Sequence, residues 1–188
     1  ISTSDRCFTW SETMKQEIRI SGSGGQGIIL TSVILGTAAS IYEHYYCIQT
    51  QAYGPEARGG ASKSDVIISD FPIMYPKARK LDYLVALTQA AANKFLPFCK
   101  EGSIVIIDSD FINIEDTDKY KIYKLPLTSI TMRELGKIIT LNIVTLGALA
   151  KVCSFLKADS AKKAINDRVP NGTEELNLKA FEIGYNLI

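Results

Sequence analysis

Hydrophobic and polar positions along this chain follow two periods in turn, and the switches between them mark out its elements. Residues 17–21 alternate apolar with polar and stop at Ser21-Gly22-Ser23-Gly24-Gly25-Gln26-Gly27, so a strand ends there. From 27 to 43 the apolar residues Ile28, Ile29, Val33, Ile34, Ala38 and Ile41 recur at helical spacing, interrupted only by Gly36. A helix therefore follows the loop directly. Strand composition returns at 45–51, and after a glycine-containing loop the pattern predicts strands at 64–69, 82–87 and 103–107, with a helix at 90–98 between the last two. The run Ile104-Val105-Ile106-Ile107 is apolar on both sides of its pleat, as a parallel strand covered on both faces requires, and should be deeply buried.

A polar stretch, 110–118, leads into an expected strand at 120–125, and the rest of the chain reads as helical. Residues 138–156 form the most apolar helix. Thr140, Asn142, Thr145 and Lys151 interrupt it, and it falls short of the ~20 apolar residues of a membrane span, so it is expected in the core. Thr173 followed by Glu174 and Glu175 places acidic residues at the positive end of a last helix, whose apolar stripe is Leu176, Leu178, Phe181 and Tyr185. Strands alternating with helices imply a parallel sheet. No repeat or linker divides the chain, so the expected fold is α/β: a single doubly wound, mostly parallel sheet with helices on both faces, Rossmann-like.

Composition narrows the partners. At 188 residues with 46% hydrophobic and 22% charged, the chain is one ordinary domain that can bury about 70% of its unfolded surface. Twenty-one Lys plus Arg against twenty Asp plus Glu leave a net charge of +1, which excludes bulk electrostatic attraction to nucleic acid or an anionic membrane. Cys7, Cys47, Cys99 and Cys153 lie too far apart for a metal knuckle, an iron–sulfur run or a small disulfide scaffold, and suit a reducing cytoplasm. The first thirteen residues lack the apolar core of a secretory signal. Residues 1–14 are taken as an upstream extension or remnant, and 15–188 as the folded domain.

Gly22-x-Gly24-x-x-Gly27 lies between an expected strand and an expected helix, where glycines let the backbone approach phosphate and helix N–H groups receive its charge. The acidic residue that holds a ribose about twenty residues on is missing, since Gln49, Thr50 and Gln51 stand there. That argues against NAD and leaves two readings open, phosphate binding or a tight turn with close helix–sheet packing. Residues 49–62 carry more polar groups and glycines than a connector needs and follow a strand at its C-terminal end, the usual binding edge. Within them Arg58 could grip a phosphate or carboxylate in a two-pronged contact with Gly59 and Gly60 keeping the backbone open, or it could pair with Glu56 or lie in solvent. Weaker candidates are His44, read as exposed or capping, Asp108 and Asp110, read as starting a turn, and Asn142, read as bonding backbone across a packing seam.

Two words of this sequence, Gly-Ser-Gly-Gly-Gln-Gly at 22–27 and Gln-Thr-Gln-Ala-Tyr-Gly-Pro-Glu-Ala-Arg-Gly-Gly-Ala-Ser at 49–62, closely resemble the gamma subunit or domain of the 2-oxoacid:ferredoxin oxidoreductases. The likeness continues through Ser64-Asp65-Val66-Ile67-Ile68-Ser69, Asp108-Ser109-Asp110 and Asn142-Ile143-Val144-Thr145-Leu146-Gly147-Ala148. It implies a subunit of an enzyme that decarboxylates a 2-oxoacid (pyruvate, 2-oxoglutarate, a branched-chain acid or indolepyruvate), reduces ferredoxin and yields acyl-CoA. It further implies alpha and beta partners, with a delta subunit in some complexes, that carry thiamine diphosphate, magnesium and the iron–sulfur clusters. This chain has no Gly-Asp-Gly word and no CxxC run, so no cofactor is expected to be held firmly by it, and alone it should be inactive. Coenzyme A, as co-substrate, would be handled by Gly22, Gly24, Gly25, Gln26, Gly27 and Arg58. The alternative is a free-standing nucleotide-binding or regulatory module without catalysis.

Overall fold

The computed structural model describes residues 14–51 and 62–188. Six strands, β1 (Lys15–Gly22), β2 (Tyr46–Gln51), β3 (Ser62–Ser69), β4 (Leu81–Ala86), β5 (Cys99–Asp108) and β6 (Tyr120–Leu125), form one sheet in the order β2-β3-β1-β4-β5-β6. The pairs β1–β4, β4–β5 and β5–β6 are parallel, whereas β3 runs against both β1 and β2. Five strands thus share one direction, and the expectation of a mostly parallel sheet holds. The reversal of β3 has a simple cause. A parallel return needs a crossover of roughly a dozen residues or more, usually a helix, and only residues 52–61 connect β2 to β3.

Side-chain alternation divides the interior into two layers. Ile18, Ile20, Val66, Ile68, Val85 and Ile106 point to the face covered by α1 (Ile28–Thr37), α4 (Leu141–Val152), α5 (Ala158–Arg168) and α6 (Glu174–Tyr185). Leu84, Ala86, Val105 and Ile107 point to the other face, where α2 (Gln89–Phe95) contributes Ala91, Ala92 and Phe95. Of the four residues 104–107, the last three are fully buried and Ile104 is half-buried. The helix after the glycine loop continues beyond α1 as a π-helical turn, Ala38–Tyr42. The apolar helix expected over 138–156 is shorter than its pattern: a 3₁₀ turn at Ile138–Thr140 precedes α4, and the backbone turns extended at Cys153. None of the described helices is long and apolar enough to cross a membrane.

α4 and α6 touch backbone to backbone. A Cβ at Gly147 would run into the carbonyl of Phe181 and lie 2.7 Å from the Tyr185 nitrogen, and one at Gly184 would run into the carbonyl of Val144. Glycine at both places is what lets the two helix axes approach. On the second face Arg19 and Asp65, paired across β1 and β3, form a buried two-pronged ion pair, Nε–Oδ1 2.6 Å and Nη2–Oδ2 2.7 Å. The Arg19 guanidinium also lies over the rings of Phe95 and Phe98, 4.8 and 5.6 Å from their centroids.

Candidate functional site

Both sequence words converge on one sheet edge. β1 ends at Gly22, whose register partner is Ser62, and the Ser21 hydroxyl donates to the Ser62 carbonyl at 2.7 Å. β2 ends at Gln51, opposite Ser64. The glycine loop, Gln51 and Ser62 are therefore neighbours at the C-terminal edge of the parallel strands, the edge where open α/β sheets bind ligands. β4 ends beside them, because the Leu87 amide donates to the Ser21 carbonyl at 2.9 Å. Thr88 then caps α2, its hydroxyl oxygen accepting from the Ala91 amide at 3.2 Å.

The loop's four glycines do different jobs. A Cβ at Gly22 would displace the Gln26 side-chain oxygen and come within 3.1 Å of Leu87 Cβ, so the turn packs tightly there. Gly27 has φ 70° and lies against Asn142, whose Cβ would be 2.8 Å from an added side chain. Gly25 has φ 88° and open space around it. Gly24 is exposed, has no left-handed φ, and among the described residues no atom lies within 4 Å of where its Cβ would be. The Gln26 side chain closes the turn from within, its Oε1 accepting from the Ser23 amide at 2.6 Å. Among the described residues no side chain caps the start of α1. The packing reading thus accounts for Gly22 and Gly27 and the turn reading for Gly25, while nothing in the fold of the described residues requires glycine at Gly24.

Arg58, together with Glu56, Gly59 and Gly60, lies outside the described residues. The other candidates are placed. His44 is exposed, as expected, at φ 61° just after the π-helical turn. Asp108 is fully buried and accepts from the Thr128 hydroxyl at 2.6 Å and the Asp110 amide at 3.2 Å. Asp110 accepts from the Ser129 amide at 2.6 Å. The two carboxylates make the expected turn and also cap α3 (Leu127–Leu135), which has no cap of its own. Burial raises the Asp108 carboxyl above its ordinary range, against the opposing pull of Thr128 and the Asp110 amide. Asn142 differs from expectation. Its Oδ1 accepts from the Ile143 amide at 2.9 Å, and it is the Asn142 main-chain carbonyl that receives the bond across the α1–α4 seam, from the Thr31 hydroxyl at 3.1 Å.

Residues 17–187 match the pyruvate ferredoxin/flavodoxin oxidoreductase family. The chain belongs to this family. It is 51% identical over 174 residues to the 2-oxoglutarate synthase subunit KorC of Methanocaldococcus jannaschii, covering 92% of this chain and 93% of that one. To the pyruvate synthase subunit PorC of the same organism it is 33% identical, over 90% of this chain and 95% of that one. Its fold superposes with a TM-score of 0.82 on the keto/oxoacid ferredoxin oxidoreductase gamma subunit of Geobacter sulfurreducens, at 43% identity and covering 91% and 96% of the two chains. The chain is accordingly a gamma-type subunit of a multi-subunit 2-oxoacid:ferredoxin oxidoreductase, and the free-standing nucleotide module gives way.

Enzymes of this family work as complexes with thiamine diphosphate, coenzyme A and iron–sulfur clusters. Among the described residues no three His, Cys, Asp or Glu side chains converge to hold a metal ion. Cys47, Cys99 and Cys153 are free thiols. Burial pushes Cys47 up to about 11 and Cys99 to about 12, the wrong direction for a thiolate ligand or nucleophile. The described residues of the gamma chain therefore do not fit a cluster or the metal of a bound diphosphate.

Proposed function

We propose that this chain is the gamma subunit of a cytoplasmic 2-oxoglutarate:ferredoxin oxidoreductase, and that residues 22–27 together with the word at 49–62 receive the phosphates of coenzyme A. Residues 15–188 form the domain that does so. Alpha and beta partners, with delta where the complex has one, hold thiamine diphosphate, magnesium and the iron–sulfur clusters. The choice of 2-oxoglutarate is favoured by the contrast within one organism: identity is 51% to the 2-oxoglutarate-type relative and 33% to the pyruvate-type relative.

The observation that carries the coenzyme reading is Gly24. Neither packing among the described residues nor a left-handed φ calls for glycine there, yet the residue stands exposed on the loop before α1, where a bare backbone lets an anion come close. Arg58 joins the proposal from its place in the sequence, flanked by Gly59 and Gly60, as a two-pronged partner for phosphate or for an adjoining subunit.

The test uses the complex reconstituted with its alpha and beta subunits. Turnover should be larger with 2-oxoglutarate than with pyruvate; equal rates, or a preference for pyruvate, overturn the substrate assignment. Gly24→Val should leave the melting temperature within about 2 °C of wild type, as an exposed substitution does, while raising the coenzyme A KM by about tenfold or more. A melting temperature lowered at unchanged KM returns the loop to a purely architectural role. Arg58→Ala should raise that KM or weaken assembly, with Arg58→Lys a partial rescue, and behaviour like wild type in both assays removes Arg58 from the site.

A further inference from the structure

Because β3 runs antiparallel, it ends on the same sheet edge at which β4 begins, and residues 70–80 join them without a crossover helix. Among the described residues no helix covers the β2–β3 half of the second face, and the strap lies against it. The strap is held at both ends. At one end the Asp70 amide donates to the Met14 carbonyl at 3.1 Å and the Phe71 amide to the Ser69 hydroxyl at 3.1 Å. At the other, the Arg79 and Lys80 amides donate to the Glu17 carboxylate at 2.6 and 3.0 Å. Pro72 and Pro76 stiffen the chain between the anchors.

What the strap displays is unusual for a surface left in water. Met74 is 92% exposed, and Phe71, Tyr75 and, across from the strap, Phe98 and the β2 residue Tyr46 are also exposed. Single exposed apolar residues are ordinary, but several large ones on one held segment mark an interaction surface. The strap also separates two open cavities. One, of about 400 Å³, is lined by Thr50, Lys63, Asp65 and residues 76–78; the other, of about 310 Å³, by Arg79, Lys80 and residues 97–101.

Charge names the kind of partner. Lys77, Arg79 and Lys80 lie within four positions, and no acidic residue occurs from 71 to 81. The nearby carboxylates are largely committed inside the fold: Asp65 to Arg19, Glu17 to Lys15 and the strap amides, Asp82 to Lys100 at 2.7 Å and to the Glu17 amide at 2.8 Å. Among the described residues, Asp70 at the start of the strap and Glu101 on the rim of the smaller cavity add exposed negative charge there, against the three cations of the strap.

We propose that the strap at 71–80, with the helix-free half of the sheet face behind it, is the docking surface for an acidic segment of a partner subunit that carries apolar side chains to cover Met74, Phe71 and Tyr75. The proposal rests on the subunit reading above. A strap already fixed by Glu17 and two prolines loses little conformational freedom on binding, which favours association.

Sedimentation of the full chain with its alpha and beta partners tests both layers separately, since wild-type association tests the subunit reading and the strap variants test the surface. Met74→Asp, and the double change Lys77→Glu with Lys80→Glu, should each leave the melting temperature of the chain alone unchanged, because the altered side chains are exposed. Each should weaken association with the partners at least tenfold, and the double change should also flatten its dependence on salt. Association and salt dependence equal to wild type in both variants overturn the proposal. So does loss, in those variants, of a self-association seen in wild type, since the occupant would then be a second copy of this chain.

Discussion

Gly147→Ala is a severe test of the packing, because two effects of opposite sign meet at one methyl group. In an open helix interior, alanine is better than glycine by about 1 kcal/mol, so the substitution would stabilise α4 if α6 were not there. With α6 present, the new Cβ falls inside the Phe181 carbonyl, 2.7 Å from the Tyr185 nitrogen and 3.1 Å from the Gly184 carbonyl carbon. All three obstacles are main chain, so no rotamer change relieves them and the helices must part. Parting by even ~0.5–1 Å forfeits a quarter to a half of each dispersion contact along a seam that includes the fully buried Val144, Ala148, Ala180 and Phe181. Overpacking strain of this kind costs roughly 1–3 kcal/mol and occasionally more. With both sides rigid the upper end applies, and a net loss of about 2 kcal/mol is expected after the helix-propensity gain.

For a chain of this length each kcal/mol moves the melting temperature by about 2–4 °C, so Gly147→Ala should melt roughly 4–8 °C below wild type. Urea unfolding should show a lower midpoint at unchanged slope, since the surface exposed on unfolding is nearly the same. Gly36→Ala in α1 is the control: its Cβ would meet only the Cys47 sulfur, at 3.3 Å, and it should be close to neutral. A Gly147→Ala chain as stable as wild type, or more so, would refute the backbone contact between α4 and α6.

Asp65→Ala leaves the Arg19 guanidinium buried between two phenylalanines without its counter-charge and should cost about 3–5 kcal/mol, whereas Arg19→Met with Asp65→Leu should cost clearly less; equal losses in urea titrations would contradict the buried pair. Burial tends to raise the Glu17 carboxyl, but the Lys15 ammonium and the Arg79 and Lys80 amides outweigh it and hold the group below its ordinary value of 4.5. Its folded form therefore binds its proton less readily than the unfolded chain, so its contribution to stability is complete above about pH 4.5 and is lost as pH falls through the lowered value. Melting curves from pH 7 to 3 should show a shallower acid loss in Glu17→Gln than in wild type; parallel acid limbs would exclude Glu17 as a contributor.

Local pattern determined much of this protein. The period switches at the glycine loop, the doubly apolar run at 104–107, the acidic start of α6 and the punctuation by Gly and Pro all depend on near neighbours in the chain, and each marks an element that the structure contains. The words at 22–27 and 49–62 also named the family, since a long specific word survives translation into any fold. Which strand would reverse was decided by the sheet: β3 reads like its neighbours, and its direction follows from the short connection that precedes it and the partners it finds. The same holds for Gly147 and Gly184, whose one-letter code cannot say that they face each other across two helices, and for Gly24, which differs from Gly22 and Gly27 only in what surrounds it. The ion pair of Arg19 and Asp65 joins residues 46 positions apart, and nothing in either neighbourhood marks them as partners. Helix period and strand alternation are properties of adjacent residues, whereas close approach, burial of charge and an uncovered sheet face exist only once distant segments occupy the same space.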